Sequence, residues 1–260
     1  MSSHKYKLIA FDIDGTIVDS NNKVCSMLID VVAELKKKGI IFTLVSARVP
    51  QSVFKLADAI GITNDFIIAL NGGLIINNKL EIPYSKSFAI SRIQNLLSMV
   101  DTRVSRHYYH ELIWAVEYPS EFTDLEDKVY NTNSLIKEIP KLVNKITLTG
   151  STQLLQQAQK ILSLDKSLEV SFSHKNYLEI TCNSISKYNG LKHLAKLKNV
   201  ASSEIIAFGD SENDISMLSQ VGLGVAMGNA LDHVKDKAKD IAGNHDEQGV
   251  ALYLTKLFKL

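Results

Sequence analysis

Four short segments of the chain carry side chains whose types and spacing can do chemistry. The first is Asp12-Ile13-Asp14-Gly15-Thr16, directly after the apolar run Leu8-Ile9-Ala10-Phe11. Ligands of an open parallel sheet bind at the carboxyl ends of its strands. Two carboxylates at i and i+2 in such a place are costly unless a proton or a cation compensates them. One can ligate a hard cation such as Mg²⁺ and attack phosphorus, while the other gives a proton to a leaving group and takes one from water. Gly15 permits a sharp turn out of the strand. The same pentapeptide also reads as a turn with solvated acids. It is a poor calcium loop of the EF-hand kind, because its glycine stands at the fourth position rather than the sixth.

The second segment, Ser46-Ala47-Arg48, follows the apolar run Ile40–Val45. A hydroxyl and backbone N–H groups there suit phosphate oxygens, and a serine there also reads as a cap for the next helix. The third is Gly209-Asp210-Ser211-Glu212-Asn213-Asp214, after Ile205–Phe208. It supplies two more carboxylates and an amide, and it also reads as the acid-rich start of a helix. The fourth is Lys187, which by itself reads as a surface lysine. Taken together, these segments assemble the acids, cation and phosphate donors that phosphoryl transfer requires.

The elements that must position these groups follow from periodicity. Leu8–Phe11, Ile40–Val45, Phe66–Leu70, Ile205–Phe208 and Leu223–Ala226 read as short buried strands. Leu28, Val31, Val32 and Leu35, and again Val53, Leu56, Ala57 and Ile60, keep helical spacing and stop at Gly39 and Gly61. Leu191, Leu194 and Ala195 mark another helix, Ile215, Met217 and Leu218 another, and Val250–Leu257 closes the chain as a helix. Strands alternating with helices make an α/β domain with a parallel sheet. Between roughly 83 and 183 the pattern changes. Helices are expected at Ile90–Met99, Leu125–Glu138 and Leu154–Leu162. Strands are expected at Thr102–Tyr108, Leu112–Glu117, Lys145–Leu148, Leu168–Phe172 and Tyr177–Thr181. Their alternation predicts antiparallel strands with one wet face. The organisation is therefore a core of residues 1–82 and 184–260, with an α+β domain of residues 83–183 inserted in it.

Composition narrows the classes. Lys+Arg 29 against Asp+Glu 28 leaves a formal charge of +1, which offers no general field for nucleic acid or an anionic membrane. Hydrophobic residues at 45% and charged residues at 22% allow a real core. Cys25 and Cys182 form no CxxC pair and suit a reducing cytoplasm. The first apolar run is too short for a signal peptide, and no run approaches a membrane span, so a cytoplasmic location is expected.

The set DIDGT, SAR, SKYNG and GDSENDISML, in this order, resembles the haloacid dehalogenase superfamily. The tail Val225–Ala230, with Ala238 and Glu247-Gln248-Gly249-Val250, is similar to its Cof-type branch, and Asn71-Gly72-Gly73 fits as well. The resemblance spans nearly the whole chain. It implies a doubly wound, Rossmann-like α/β core with an α+β cap that closes over the cleft. It also implies a Mg²⁺-dependent phosphatase of small phosphorylated metabolites, sugar phosphates first, working through an aspartyl-phosphate. In that reading Asp12 is the nucleophile and a metal ligand. Asp14 is the general acid/base and ligates the metal through its backbone carbonyl. Asp210 is the third ligand, and Asp214 supports the metal shell. Ser46, the N–H groups of Ala47 and Ile13, Lys187 and Asn213 hold the phosphate. The expected partner is a small phosphorylated metabolite, with no nucleic acid or membrane, for a monomer or small homo-oligomer. Two positions depart from the family: Ala47 and Tyr188 stand where it usually or often has glycine. Ala47 is expected to crowd the phosphate and disfavour positive φ, and Tyr188 to shade the entrance.

Arg106, His107 and Lys175 are candidate specificity residues of the insertion. His107, Tyr108, Tyr109 and His110 read as its surface or as substrate-facing groups. A metal pair is disfavoured, since residues i and i+3 of a strand face opposite ways. Trp114 reads as packing. Lys36-Lys37-Lys38 reads as the wet end of a helix. Gly222-Leu223-Gly224 with Gly228 has the wrong spacing for a dinucleotide fingerprint. Two other readings remain at this point. One is a phosphotransferase or mutase using the same aspartyl-phosphate. The other is a non-catalytic metabolite-binding protein.

Overall fold

The computed structural model describes residues 5–121, 123, 135–136 and 138–260. The strands are, in chain order, β1 (Leu8–Phe11), β2 (Ile41–Leu44), β3 (Ile67–Ala69), β4 (Leu74–Ile76), β5 (Tyr84–Ser85) and β6 (Phe88–Ala89). Next come β7 (Ser105–His110), β8 (Ile113–Glu117), β9 (Leu135–Ile136), β10 (Leu142–Val143) and β11 (Lys145–Thr149). The last are β12 (Leu168–His174), β13 (Tyr177–Cys182), β14 (Ile205–Gly209), β15 (Leu223–Ala226) and β16 (Asp240–Ile241). The chain divides into two compact units. One comprises Met1–Arg48, Val53–Tyr84 and Ser186–Leu260; the other comprises Val49–Ser52 and Ser85–Ile185.

The first unit is built on a parallel sheet in the order β16-β15-β14-β1-β2, and a parallel bridge between Val45 and Ile68 brings β3 alongside. β1 is central, and all four of its residues are buried because helices cover both faces. On one face Leu8 and Ala10 pack with Leu191, Leu194 and Met217 from the helices Lys187–Leu197 and Ile215–Gln220. On the other, Phe11 lies 5.8 Å from Phe42 and 5.7 Å from Phe208, and Phe208 meets Tyr253 edge-on at 5.5 Å. Tyr253 belongs to the helix Gly249–Phe258, which packs against Ser26–Lys37. Each fully buried aromatic of this kind contributes roughly 1.5–3 kcal/mol. The sheet register sets Phe11 opposite Phe208, so the residues that follow both strands emerge together at the carboxyl edge.

The second unit contains a six-stranded sheet, β12-β13-β11-β7-β8-β9, antiparallel except between β8 and β9. Tyr108, Ile146, Leu148, Leu178 and Ile180 pack under the helix Thr152–Leu162. Three sequence expectations change here. Ile90–Met99 is not one helix: Ile90–Arg92 is a 3₁₀ turn and Gln94–Ser98 a short α-helix. The helix expected over 125–138 meets a strand at Leu135–Ile136, and the rest of that segment falls mainly outside the described residues. On β7, β11 and β13 the alternating polar face is not wet, whereas on β12 Glu169, Ser171 and Ser173 are exposed as expected. Ser105, His107, Lys145, Thr147, Thr149 and Glu179 are buried; His107 bonds Ser105 and Thr149, and Lys145 bonds Glu179. His107 is fully buried rather than surface, and Trp114 stacks on it and donates to its Nδ1. Alternation turns Arg106 the other way, where it donates to the carbonyls of Leu97 and Val100. Lys175 is exposed. Among the described residues no helix is long and apolar enough to cross a membrane.

Candidate active site

Asp12 directly follows β1, and its N–H donates to the Phe208 carbonyl at 3.0 Å, extending the ladder between β1 and β14 by one rung. Asp12 is 4% exposed. Just beyond β14, the 3₁₀ turn Glu212–Asp214 folds the acids of the third segment back onto the same edge. Carboxylate oxygens of Asp12, Asp210 and Asp214 then lie within 4.8 Å of one another. At such separations each like-charged pair costs ~3–4 kcal/mol at an effective dielectric of about 20.

Lys187 answers part of that charge. Its Nζ lies 2.6 Å from Asp12 Oδ1 and 2.7 Å from Asp214 Oδ1, with the side chain 2% exposed. It opens the helix Lys187–Leu197 behind the cap Ser186, whose side chain accepts from the Asn189 N–H. A cation at a helix N-terminus is opposed by the dipole, so the two carboxylates are what keep it there. Gly190 lets that helix come close: a Cβ at this position would lie 2.7 Å from Ile68 Cγ2 and 2.8 Å from the Gly72 Cα. Burial works against the Lys187 charge. Asp12 and Asp214 outweigh it and hold the ammonium above its ordinary range. Burial, and next the charge of Asp214, push Asp12 well above the usual carboxylate range, although Lys187 pulls it back. The same two causes raise Asp210 to about 6.

Asp214 is fully buried and amply satisfied. Besides Lys187, it accepts from the N–H groups of Asp210 and Ser211 and from the Ser211 hydroxyl, each at 3.1 Å. Asp210 differs: its Oδ1 is buried and has no hydrogen-bond partner. A buried, orphaned carboxylate oxygen beside two other acids, with one lysine among them, is a donor set that fits a hard divalent cation.

Asp14 does not join this cluster. Its carboxylate is exposed and paired to Arg48, whose Nε donates to Oδ2 at 2.8 Å and whose second guanidinium nitrogen donates to Oδ1. The motif SAR thus gives Asp14 a partner that the sequence reading left without a role. The fork of a guanidinium matching a carboxylate was the available signal. Gly15 follows with φ +72°, and any Cβ there would run into the Asp210 carboxylate.

The second segment is a turn tied to the end of β3. The Ser46 N–H donates to the Ile68 carbonyl, and the Asn71 N–H donates to the Ser46 carbonyl, both at 2.9 Å. Ser46 is buried and its Oγ accepts from the Arg48 N–H at 3.2 Å. It does not cap the next helix, which begins four residues later at Pro50. Ala47 is outside the positive-φ residues, so alanine costs nothing in backbone strain. Ile13 is fully buried. Asn213 is exposed and donates to Asn71 Oδ1 at 3.2 Å. Tyr188 does not stand at an entrance: it packs on the core cluster of Leu8, Ile205 and Ala207, with its hydroxyl 3.4 Å from Ser202 Oγ. The described residues contain no other group of three acids, histidines or cysteines close enough to share a metal.

Known proteins are similar to this chain over nearly its whole length. The phosphatase YwpJ of Bacillus subtilis is 28% identical over 281 residues, covering 94% of this chain and 97% of that protein. The 5-amino-6-(5-phospho-D-ribitylamino)uracil phosphatase YcsE of the same organism is 26% identical, covering 94% and 93%. The crystal structure of a haloacid dehalogenase-like hydrolase from Bacteroides thetaiotaomicron superimposes with a TM-score of 0.87 at 28% identity, covering 97% of this chain and 100% of that one. The model of the haloacid dehalogenase-like hydrolases matches residues 9–254. With Asp12, Asp210 and Asp214 gathered on one sheet edge around a buried lysine, the chain belongs to the haloacid dehalogenase-like hydrolases and is a Cof-type phosphatase of that family.

Proposed function

We propose that this phosphatase is Mg²⁺-dependent, acts through an aspartyl-phosphate on Asp12, and takes small phosphorylated metabolites, sugar phosphates first. The observation that carries the proposal is the uneven buried charge: three convergent carboxylates share one lysine, and Asp210 Oδ1 lacks a partner. Support for the substrate class comes from the relative named for a phosphoribityl compound.

Asp12, Asp210, Asp214 and the backbone carbonyl of Asp14 would hold Mg²⁺. Bound there, it supplies positive charge to the transferring phosphoryl group and to the carboxylates. Ser46, the N–H groups of Ala47 and Ile13, Lys187 and Asn213 hold the phosphate oxygens. Lys187, already charged and immobile, meets the charge that the transition state spreads over those oxygens. An Asp12 oxygen forms a bond to phosphorus as the P–O bond of the ester breaks, and Asp14 delivers its proton to the departing oxygen. Water then attacks the same phosphorus, gives a proton to Asp14, and the Asp12–phosphorus linkage breaks to release inorganic phosphate.

The test is hydrolysis of 4-nitrophenyl phosphate, with and without Mg²⁺, by wild type and Asp12→Asn, followed by a panel of sugar phosphates. Turnover that needs the metal and disappears in Asp12→Asn is expected. Metal-dependent turnover surviving in Asp12→Asn would remove the aspartyl-phosphate, and turnover indifferent to chelator would remove the metal.

A further inference from the structure

Asn229 plays no part in the reading above, yet it grips the loop that carries the proposed acid. Its Nδ2 donates to the Gly15 carbonyl at 2.9 Å, across 214 residues, and its Oδ1 accepts from the His245 N–H at 3.1 Å. The loop that presents it is itself anchored. The Met227 N–H donates to the Gly209 carbonyl at 2.9 Å, and the Gly228 N–H to the Gly243 carbonyl at 3.1 Å. Asn229 therefore projects from a firm base at the end of β15.

The segment it grips needs such a hold. The sheet ladder of β1 stops at Asp12. Beyond it the turn is closed by the Ile13 carbonyl, which accepts from the N–H groups of Thr16, Ile17 and Val18 at 3.2, 3.1 and 3.3 Å. Asp14 is exposed, and the Arg48 fork, whose side chain is 18% exposed, holds its carboxylate but not the backbone that carries it. The Gly15 carbonyl sits one residue from Asp14, and its partner is the Asn229 amide. An amide suits the place: it donates to one loop and accepts from another, and it adds no charge beside Asp210.

We infer that Asn229 is a positioning residue for Asp14: by holding the Gly15 peptide it keeps the Asp14 carboxyl in line with the oxygen that leaves. The inference rests on Asp14 being the proton donor, and the test separates the two. A misplacement of about 1 Å is worth on the order of 10²-fold, and only where proton delivery limits the rate. kcat and KM at saturating Mg²⁺ are measured on two esters. One is 4-nitrophenyl phosphate, whose leaving group needs almost no proton; the other is the alkyl phosphate that wild type turns over best. The variants are Asn229→Ala, Asn229→Asp and Asp14→Asn. Asn229→Asp keeps the acceptor for the His245 N–H and loses the donor to Gly15.

Both Asn229 variants are expected to lose about 10–100-fold in kcat on the alkyl ester and less than about 3-fold on the nitrophenyl ester. KM should stay close to wild type in both, and the thermal midpoint in Asn229→Ala; Asn229→Asp adds a charge near Asp210 and is judged by its kcat ratio between the two esters. Should Asn229→Ala fail to fold, Asn229→Asp alone carries the same comparison. Equal losses on both esters, a raised Mg²⁺ requirement, or an unimpaired Asn229→Asp would overturn the inference, since Asn229 would then serve the nucleophile or the fold. If Asp14→Asn is itself indifferent to the leaving group, the proton-donor reading fails and takes the inference with it, and that variant identifies the cause.

Discussion

Both units bury charged side chains on a sheet, and the balance of those charges separates a site from a scaffold. In the second unit the charges cancel pair by pair. Lys145 meets Glu179 at 3.2 Å, with side chains 7% and 11% exposed, and Arg106 meets Glu117 at 3.1 Å. The Tyr108 hydroxyl donates to Glu117 as well, and burial first, then that bond, raises its pKa above the ordinary range. At the edge of β1 and β14 the sum does not close: three carboxylates meet one lysine. A self-cancelling pair asks for nothing further, whereas an excess of buried negative charge asks for a proton or a cation.

The sharpest way to break the comparison is Asp12→Asn. It is expected to lower turnover of 4-nitrophenyl phosphate by about 10³-fold or more, because the nucleophile is removed outright. It should also leave the fold intact, because it relieves repulsion. Next comes Lys187→Met, which leaves buried carboxylates without their cation. Denaturant unfolding in chelator should show a loss of about 3–5 kcal/mol. A loss below about 1 kcal/mol would mean that the acids already carry protons enough to balance themselves.

Metal and pH sharpen it further. Asp210 is raised to about 6 from an ordinary value of 3.8, and Asp12 is raised in the same direction. A raised carboxyl stabilises the fold in its protonated form. That contribution is complete below the ordinary value and is lost as pH climbs through about 6. Mg²⁺ takes the place of the proton, so its stabilising effect grows over the same window. Saturating Mg²⁺ should raise the thermal midpoint more at pH 7.5 than at pH 5, by about 1 kcal/mol or roughly 2–4 °C. Equal gains at both pH values would place the cation away from these acids. The smallest effect is expected in the second unit. Replacing its pair together, Lys145→Met with Glu179→Leu, should change unfolding free energy by less than about 1 kcal/mol, since two matched charges leave together.

The readable parts of the molecule are those where a residue's neighbours in sequence decide its state. Leu8–Phe11 reads as a buried strand because all four side chains are apolar, and Leu28, Val31, Val32 and Leu35 read as a helix face because their spacing is helical. Ile90–Met99 misleads for the same reason: its apolar residues permit one helix, and the chain makes a 3₁₀ turn and a short helix instead. Leu135–Ile136 forms a strand only because Trp114 and Ala115 lie alongside to pair with it. His107 reads as polar surface, yet Ser105, Thr149 and Trp114 satisfy it in the interior. Tyr188 reads as a gate, but the turn of its helix directs it onto the core.

By itself, then, the sequence determined the buried strands β1, β2, β3, β14 and β15, the amphipathic helices beside them, and which acids stand just past strand ends. Those are consequences of local apolar pattern and of the polar residues that interrupt it. Only the tertiary structure decided which acids share a centre. Asp12 and Lys187 meet across 175 residues because β1 and β14 pair in one register and a glycine lets the lysine's helix approach. Asp14, two residues from Asp12, turns outward to Arg48 because the left-handed bend at Gly15 ends the strand direction. Charge balance is a sum over neighbours in space, and those neighbours exist only once the sheet is formed.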